Sequence, residues 1–246
     1  MAWKMFATIF TFALVLAYVA AEIPSYIHVC GRQNPNMDQC ITNSINDLKD
    51  NICKGIPELK SPPIEPFFVD EIAISDVDNA KLYLRDATIT GLCDFTVNSL
   101  HMDLDKLHFD ISVIFKKVFL NGTYDFDVHV LVPFVQKGPV FLTTENLLAS
   151  AGVDMKIVNK NNKRYVYMSK LNLILDIKTL SSKFDMNGEE KSQLNEILST
   201  FLGSNEEDFI NRVKPTLGKE ISKQVLSIAN NIVKHFTFDE LFPERP

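Results

Sequence analysis

The chain has 246 residues, 46% of them hydrophobic, which is enough apolar material for one sizeable domain with a real core. Its 25 basic residues face 31 acidic ones, a formal charge of −6, and that balance weighs against nucleic acid and anionic membrane surfaces as partners.

The chain opens with Met1-Ala2-Trp3-Lys4, continues through an apolar stretch over 5–19 and reaches Ala20-Ala21. A basic start, an apolar centre and a small-residue exit describe a secretory signal peptide over 1–21, cleaved after Ala21. The stretch is short for a span of about 20 residues and no basic stop follows it, so no stable membrane insertion is expected. The mature domain is then 22–246. Losing Lys4 leaves 24 basic against 31 acidic residues, or −7.

All four cysteines come early: Cys30, Cys40, Cys53 and Cys93. Export makes disulfides the default reading. Residues 36–54 read as a helix, with Cys40, Ile41, Ile45, Leu48 and Ile52 in register and Gly55 as its stop. On such a helix Cys40 and Cys53 lie ~20 Å apart, beyond disulfide reach. Cys30–Cys53 is strained by the short link to the helix start. The pairing left is Cys30–Cys40 with Cys53–Cys93, two free thiols being the alternative for the second pair.

Prolines at 57, 62, 63 and 66 make the next segment extended. From Phe67 the apolar period becomes two, and 71–75, 80–89, 97–104 and 107–120 read as strands. The phase slips between Leu104 and Leu107, which predicts a bulge or bend at Asp105-Lys106. Asn121-Gly122 predicts a hairpin turn. The return strand places Tyr124, Phe126, Val128, Val130 and Val132 on one face, and 133–139 is expected to turn the chain. Strands over 141–148, 153–158 and 164–175 follow, with a polar turn at 159–163. Residues 189–202 read as a helix, with Leu194, Ile197, Leu198 and Phe201 on one side.

The last long run, 204–236, carries Phe209, Val213, Leu217, Ile221, Val225, Ile228, Ile232 and Phe236 at steps of three or four. Ser204 and Glu207 have capping-box spacing. The helix would be close to ~50 Å long, with a kink expected near Pro215. A helix this long and apolar must be wrapped. The order is one helix, a run of antiparallel strands, then the long helix: an α+β fold of one domain.

Catalytic and metal patterns are missing. The five histidines, His28, His101, His108, His129 and His235, lack helical metal-pair spacing, and only His28 is close to a cysteine. No serine sits in a Gly-x-Ser-x-Gly elbow and no glycines cluster into a phosphate loop. Asp103 with Asp105 and Asp125 with Asp127 each share a strand face, read as the solvated one. No enzyme, cofactor or metal is expected. Asn121-Gly122-Thr123 is the chain's one N-glycosylation sequon, and Asn121 is expected to carry sugar.

Several segments together resemble the takeout and juvenile hormone-binding protein family of insects. They are Cys30 with Cys40, Gly55-Ile56-Pro57-Glu58-Leu59, Pro62-Pro63-Ile64-Glu65-Pro66, Gly91-Leu92-Cys93-Asp94-Phe95, the strand from Tyr124 to Pro133, and Phe238-Asp239-Glu240-Leu241-Phe242-Pro243. The resemblance implies a super-roll, TULIP-like fold, in which a highly curved antiparallel sheet wraps the long C-terminal helix. It also implies an apolar tunnel for one lipophilic molecule: an isoprenoid of the juvenile hormone kind, a fatty acid or another lipid. On that reading Leu217, Ile221, Val225 and Ile228 face the ligand from the long helix. Tyr124, Phe126 and Val128 face it from the sheet, and Ile45 and Leu48 from the first helix. Tyr124 is the expected polar group on an apolar wall. The protein would be a secreted, extracellular monomer, with a receptor or other protein as a further partner. The second reading is an extracellular protein-interaction module whose apolar interior is only a packed core.

Overall fold

The computed structural model describes residues 23–129, 133–186, 188–202 and 206–245. The leader expected over 1–21, Ser204 of the expected cap and the helix stop Gly203 lie outside them. The chain begins with α1 (Met37–Asp47) and α2 (Lys49–Lys54), and Pro57–Leu59 forms one 3₁₀ turn. The expected helix over 36–54 is thus interrupted at Leu48 (φ −89°, ψ 0°), which lies between the two pieces.

Seven strands follow: β1 (Phe67–Val77), β2 (Ala80–Thr90), β3 (Phe95–Asp103), β4 (His108–His129), β5 (Pro133–Lys160), β6 (Lys163–Asp176) and β7 (Ser181–Phe184). They pair antiparallel in the order β1-β2-β4-β5-β6, with β3 on β4 and β7 on β5. Two strands are very long, β4 with 22 residues and β5 with 28, and they form the spine of the sheet. The register shifts in four of the pairings, at Ala73/Ser75, Arg85/Thr88, Val97/Ser99 and Asp154/Met155. Such irregularities bend and twist a strand, so a sheet carrying several of them curls.

The helices α3 (Gly188–Leu202), α4 (Glu206–Val233) and α5 (Phe238–Leu241) close the chain. α4 runs through Pro215 without a break. It packs on both β6 and β1, the two ends of the strand order, so the curled sheet wraps it as expected. The α+β architecture and the long wrapped helix therefore follow the sequence reading.

Three details do not. The bend expected at Asp105-Lys106 is a complete hairpin turn, with Asp103 paired to His108 across it and the Lys106 N–H donating to Asp103 Oδ1 at 2.9 Å. The hairpin expected at Asn121-Gly122 is absent: β4 continues straight through, pairing Asn121 with Thr88 on one side and Phe141 on the other. The turn expected over 133–139 is strand, and Pro133 already pairs with His129. That stretch of β5 has β4 alone as a neighbour, because β7 joins only from Val140 and β6 only from Leu148. Pro133 and Pro139 therefore occupy an edge, where a missing N–H costs no ladder bond.

The cysteines pair Cys30–Cys40 and Cys53–Cys93, the pairing expected, and the alternative of two free thiols at 53 and 93 does not hold. Glu65 fastens the proline segment to the β2–β3 connection: its two carboxylate oxygens accept from the Gly91 and Cys93 N–H groups at 2.9 and 3.0 Å. At the C-terminus the Phe238 ring lies between the Arg32 and Arg164 guanidinium groups, at 5.1 and 5.0 Å, and both arginines pair with Asp239.

Candidate functional site

Alternation decides what faces the helix. Along β4, Val118, Leu120, Tyr124, Phe126 and Val128 are buried on the concave face, with Gly122 in phase between them. They join residues of β1, β2 and β5, together with Leu194 of α3, in one large apolar cluster, with Leu217 and Ile221 of α4 packed against it. Tyr124, Phe126, Val128, Leu217 and Ile221 are therefore brought together. Ile45, Leu48 and Ile228 are half-buried, and Val225 is 37% exposed; none of these four belongs to that cluster. α1, which carries Ile45, packs on β3.

Tyr124 is 2% exposed. Its ring packs on Phe126 and Phe184, with centroids 5.2 and 5.4 Å away. Its hydroxyl lies against Gly138, where a Cβ would stand 2.9 Å from the oxygen. Burial, followed by the nearby carboxylates of Glu190 and Asp185, raises the phenol pKa above 10.0. The group thus stays neutral, a donor and acceptor set in an apolar wall.

A second apolar cluster fills the opposite end, around Val153, Met155, Val166 and Phe238, and a third gathers Ile56, Leu59 and Phe236 with half-buried Ile232.

Along the seam between β6 and α4 lies a cavity of about 680 Å³ that sequence reading missed. It is open along the strand edge, because β6 ends the strand order and has only β5 beside it. α4 touches that edge at two places. Gly218 comes so close that a Cβ would lie 2.7 Å from the Leu173 carbonyl oxygen. Asn230 replaces a strand partner: its Oδ1 accepts from the Met168 N–H at 2.9 Å and its Nδ2 donates to the Met168 carbonyl at 2.8 Å. Leu226 reads in sequence as part of the helix's apolar face, and Lys214, Lys219 and Lys223 as its solvated side.

The convex face is polar where the site histidines lie. His108 Nδ1 stands 2.7 Å from Asp154 Oδ1, and His108 Nε2 stands 3.3 Å from Asp110 Oδ2. Asp125 pairs with Arg85 at 2.8 Å and Asp103 with Lys106 at 2.8 Å, which accounts for those carboxylates as surface ion pairs. His28 approaches Cys30 and Cys40, but both sulfurs are spent in a disulfide and offer no thiolate to a metal. Asn121 is exposed on the convex face.

Comparison with known proteins adds three findings. The profile of the family "Haemolymph juvenile hormone binding protein (JHBP)" matches residues 9–243. A Schistocerca gregaria protein named "Putative beta-carotene-binding protein" is 19% identical over 222 residues, covering 89% of both chains. The crystal structure of Epiphyas postvittana Takeout 1 superposes with a TM-score of 0.70 at 15% identity, covering 87% of this chain and 99% of that one.

Proposed function

The chain belongs to the haemolymph juvenile hormone binding protein family, and from that premise we propose that it is a secreted carrier of one small lipophilic molecule held between α4 and the concave face of the sheet. The observation that carries this reading is the state of α4's inner face. Leu217 and Ile221 pack on a fully buried cluster yet keep part of their own surface uncovered. A helix inside a curved sheet cannot fill all the space beside it. Space of that kind is apolar, and a guest gains ~25 cal/mol for each Å² of apolar surface it removes from water.

The walls are Leu217 and Ile221 on the helix and Tyr124, Phe126 and Val128 on the sheet, which share one cluster. The Tyr124 hydroxyl is the orienting group. The cargo class is an isoprenoid, a fatty acid or a comparable lipid, and the Schistocerca gregaria relative is named for a lipophilic molecule of that kind. The protein works by binding, without catalysis. The leader over 1–21 directs it out of the cell, where the two disulfides are at home.

Mass spectrometry of an organic extract of the purified protein tests the reading, joined to thermal melts with added lipids. A ligand bound only by the folded state stabilises it by ~2.7 kcal/mol at a hundredfold excess over its Kd. A clean extract, with no melting shift from any lipid, sinks the carrier reading.

One feature favours the second reading, an interaction module. Phe68, Phe119 and Phe141 are 62, 40 and 47% exposed on the convex face. Exposed aromatic groups of this kind suit a protein partner. Loss of a partner in Phe119→Ser, with lipid binding intact, would establish that role beside the first.

A further inference from the structure

We infer that the seam between β6 and α4 receives the head group of a long-chain carboxylate, and that the carrier proposed above therefore prefers anionic amphiphiles to neutral lipids of equal length. The inference rests on the carrier reading and narrows its ligand.

The cavity at the seam has an apolar floor and a cationic rim. Leu171, Leu173 and Leu226 form part of the floor, while Lys170 stands on the strand bank and Lys214 and Lys219 on the helix bank. The floor is continuous with the interior: Leu175 lines the cavity and belongs to the buried cluster, and Leu173 lines it and packs against that cluster. The groove thus shares Leu173 and Leu175 with the inner wall.

The charges are placed against the trend of the molecule, which carries a net −6. A fourth rim lysine, Lys223, is neutralised by Glu220, whose oxygens lie 2.7 and 2.9 Å from its Nζ. Asp176, close enough to Lys214 to feel its charge, is itself held by Lys178 at 2.7 Å. Among the described residues Lys170, Lys214 and Lys219 form no ion pair, Lys214 donating only to the Asn211 amide oxygen at 3.4 Å and Lys170 standing opposite Asp154 in the strand register. Three ammonium groups on two banks of one apolar groove complement a single carboxylate at the end of an apolar chain. The backbone contributes as well: β6 has no strand on this edge, so its outward-facing N–H groups have no strand partner there. A neutral ester gains none of the ionic contact.

The test uses the mature, disulfide-bonded protein and two probes of equal chain, oleate and methyl oleate, titrated by displacement of a fluorescent lipid. Wild type should bind oleate about tenfold more tightly than the ester, and 0.5 M salt, about three times the physiological level, should erase most of that preference. Lys214→Gln with Lys219→Gln should weaken oleate by about tenfold and leave the ester within about twofold. Lys170→Gln, on the opposite bank, should act in the same direction, which guards against a helix-specific effect. Equal affinities in wild type, or equal weakening of both probes in the variants, overturns the inference while the carrier reading stands. Failure of both probes to bind overturns the two together.

Discussion

His108 joins β4 to β5 through Asp154 and also faces Asp110. The hydrogen bond to Asp154 is the largest influence on it, and it raises the imidazole pKa above 6.5. A group whose folded pKa is raised contributes its stabilisation fully below the unfolded value and loses it as pH climbs through the folded value. The link should therefore hold at pH 6 and weaken on the alkaline side of 6.5. An NMR titration of the His108 ring should give a midpoint above that of a free histidine, and Asp154→Asn should bring it down. An unchanged midpoint in the variant would remove Asp154 as the cause. Nothing in the sequence marked this histidine, because its partners come from strand register; alternation gave only its face.

At the scale of elements the Asn121-Gly122 signal was the hardest to read. Asn121-Gly122 has hairpin chemistry, yet Val118, Leu120, Tyr124, Phe126 and Val128 hold one phase across it, which a turn would have broken. Gly122 is there for space: a Cβ would stand 3.2 Å from the Arg85 carbonyl oxygen at the β2 irregularity. The uninterrupted phase was the better signal and outweighs the dipeptide. The sequon thus lies within a strand, on the exposed face, in register with Phe141 and two residues from Phe119. A glycan on Asn121 would cover those rings. Protein secreted from insect cells should lose mass on glycosidase treatment and bind more of a hydrophobic dye afterwards; no loss of mass means an unused site. Gly218 gives a second prediction. Gly→Ala in an exposed helix stabilises by up to ~1 kcal/mol. Here the added methyl meets the Leu173 carbonyl at 2.7 Å, so Gly218→Ala should lower the melting temperature. A rise would mean that α4 is free to move away from β6.

At the scale of the molecule the fold was legible because it repeats: period two over long strands, then steps of three and four over one long helix. The disulfides were legible because a helix is a ruler. The site was legible only in part. Periodicity identifies an inner face but says nothing about whether the facing surface reaches it, so Leu217, Ile221 and Val225 look alike in sequence, yet the first two pack on the core cluster and Val225 is exposed. The seam was invisible because its floor and its rim both draw on β6 and α4, and no local pattern links the two. The same uncertainty between core and pocket yields the last prediction. If the inner face of α4 borders unfilled space, Ile221→Trp places its ring there and the fold tolerates it, with a melting temperature near that of wild type. The space is then occupied, and added lipid should no longer raise the melting point. If Ile221 instead sits in a close-packed core, the larger ring forces strain of ~1–3 kcal/mol and the protein melts several degrees earlier. A destabilised variant, from a wild type that no lipid stabilises, would identify the interior as an ordinary core. A stable variant that has lost its lipid response places the ligand beside α4.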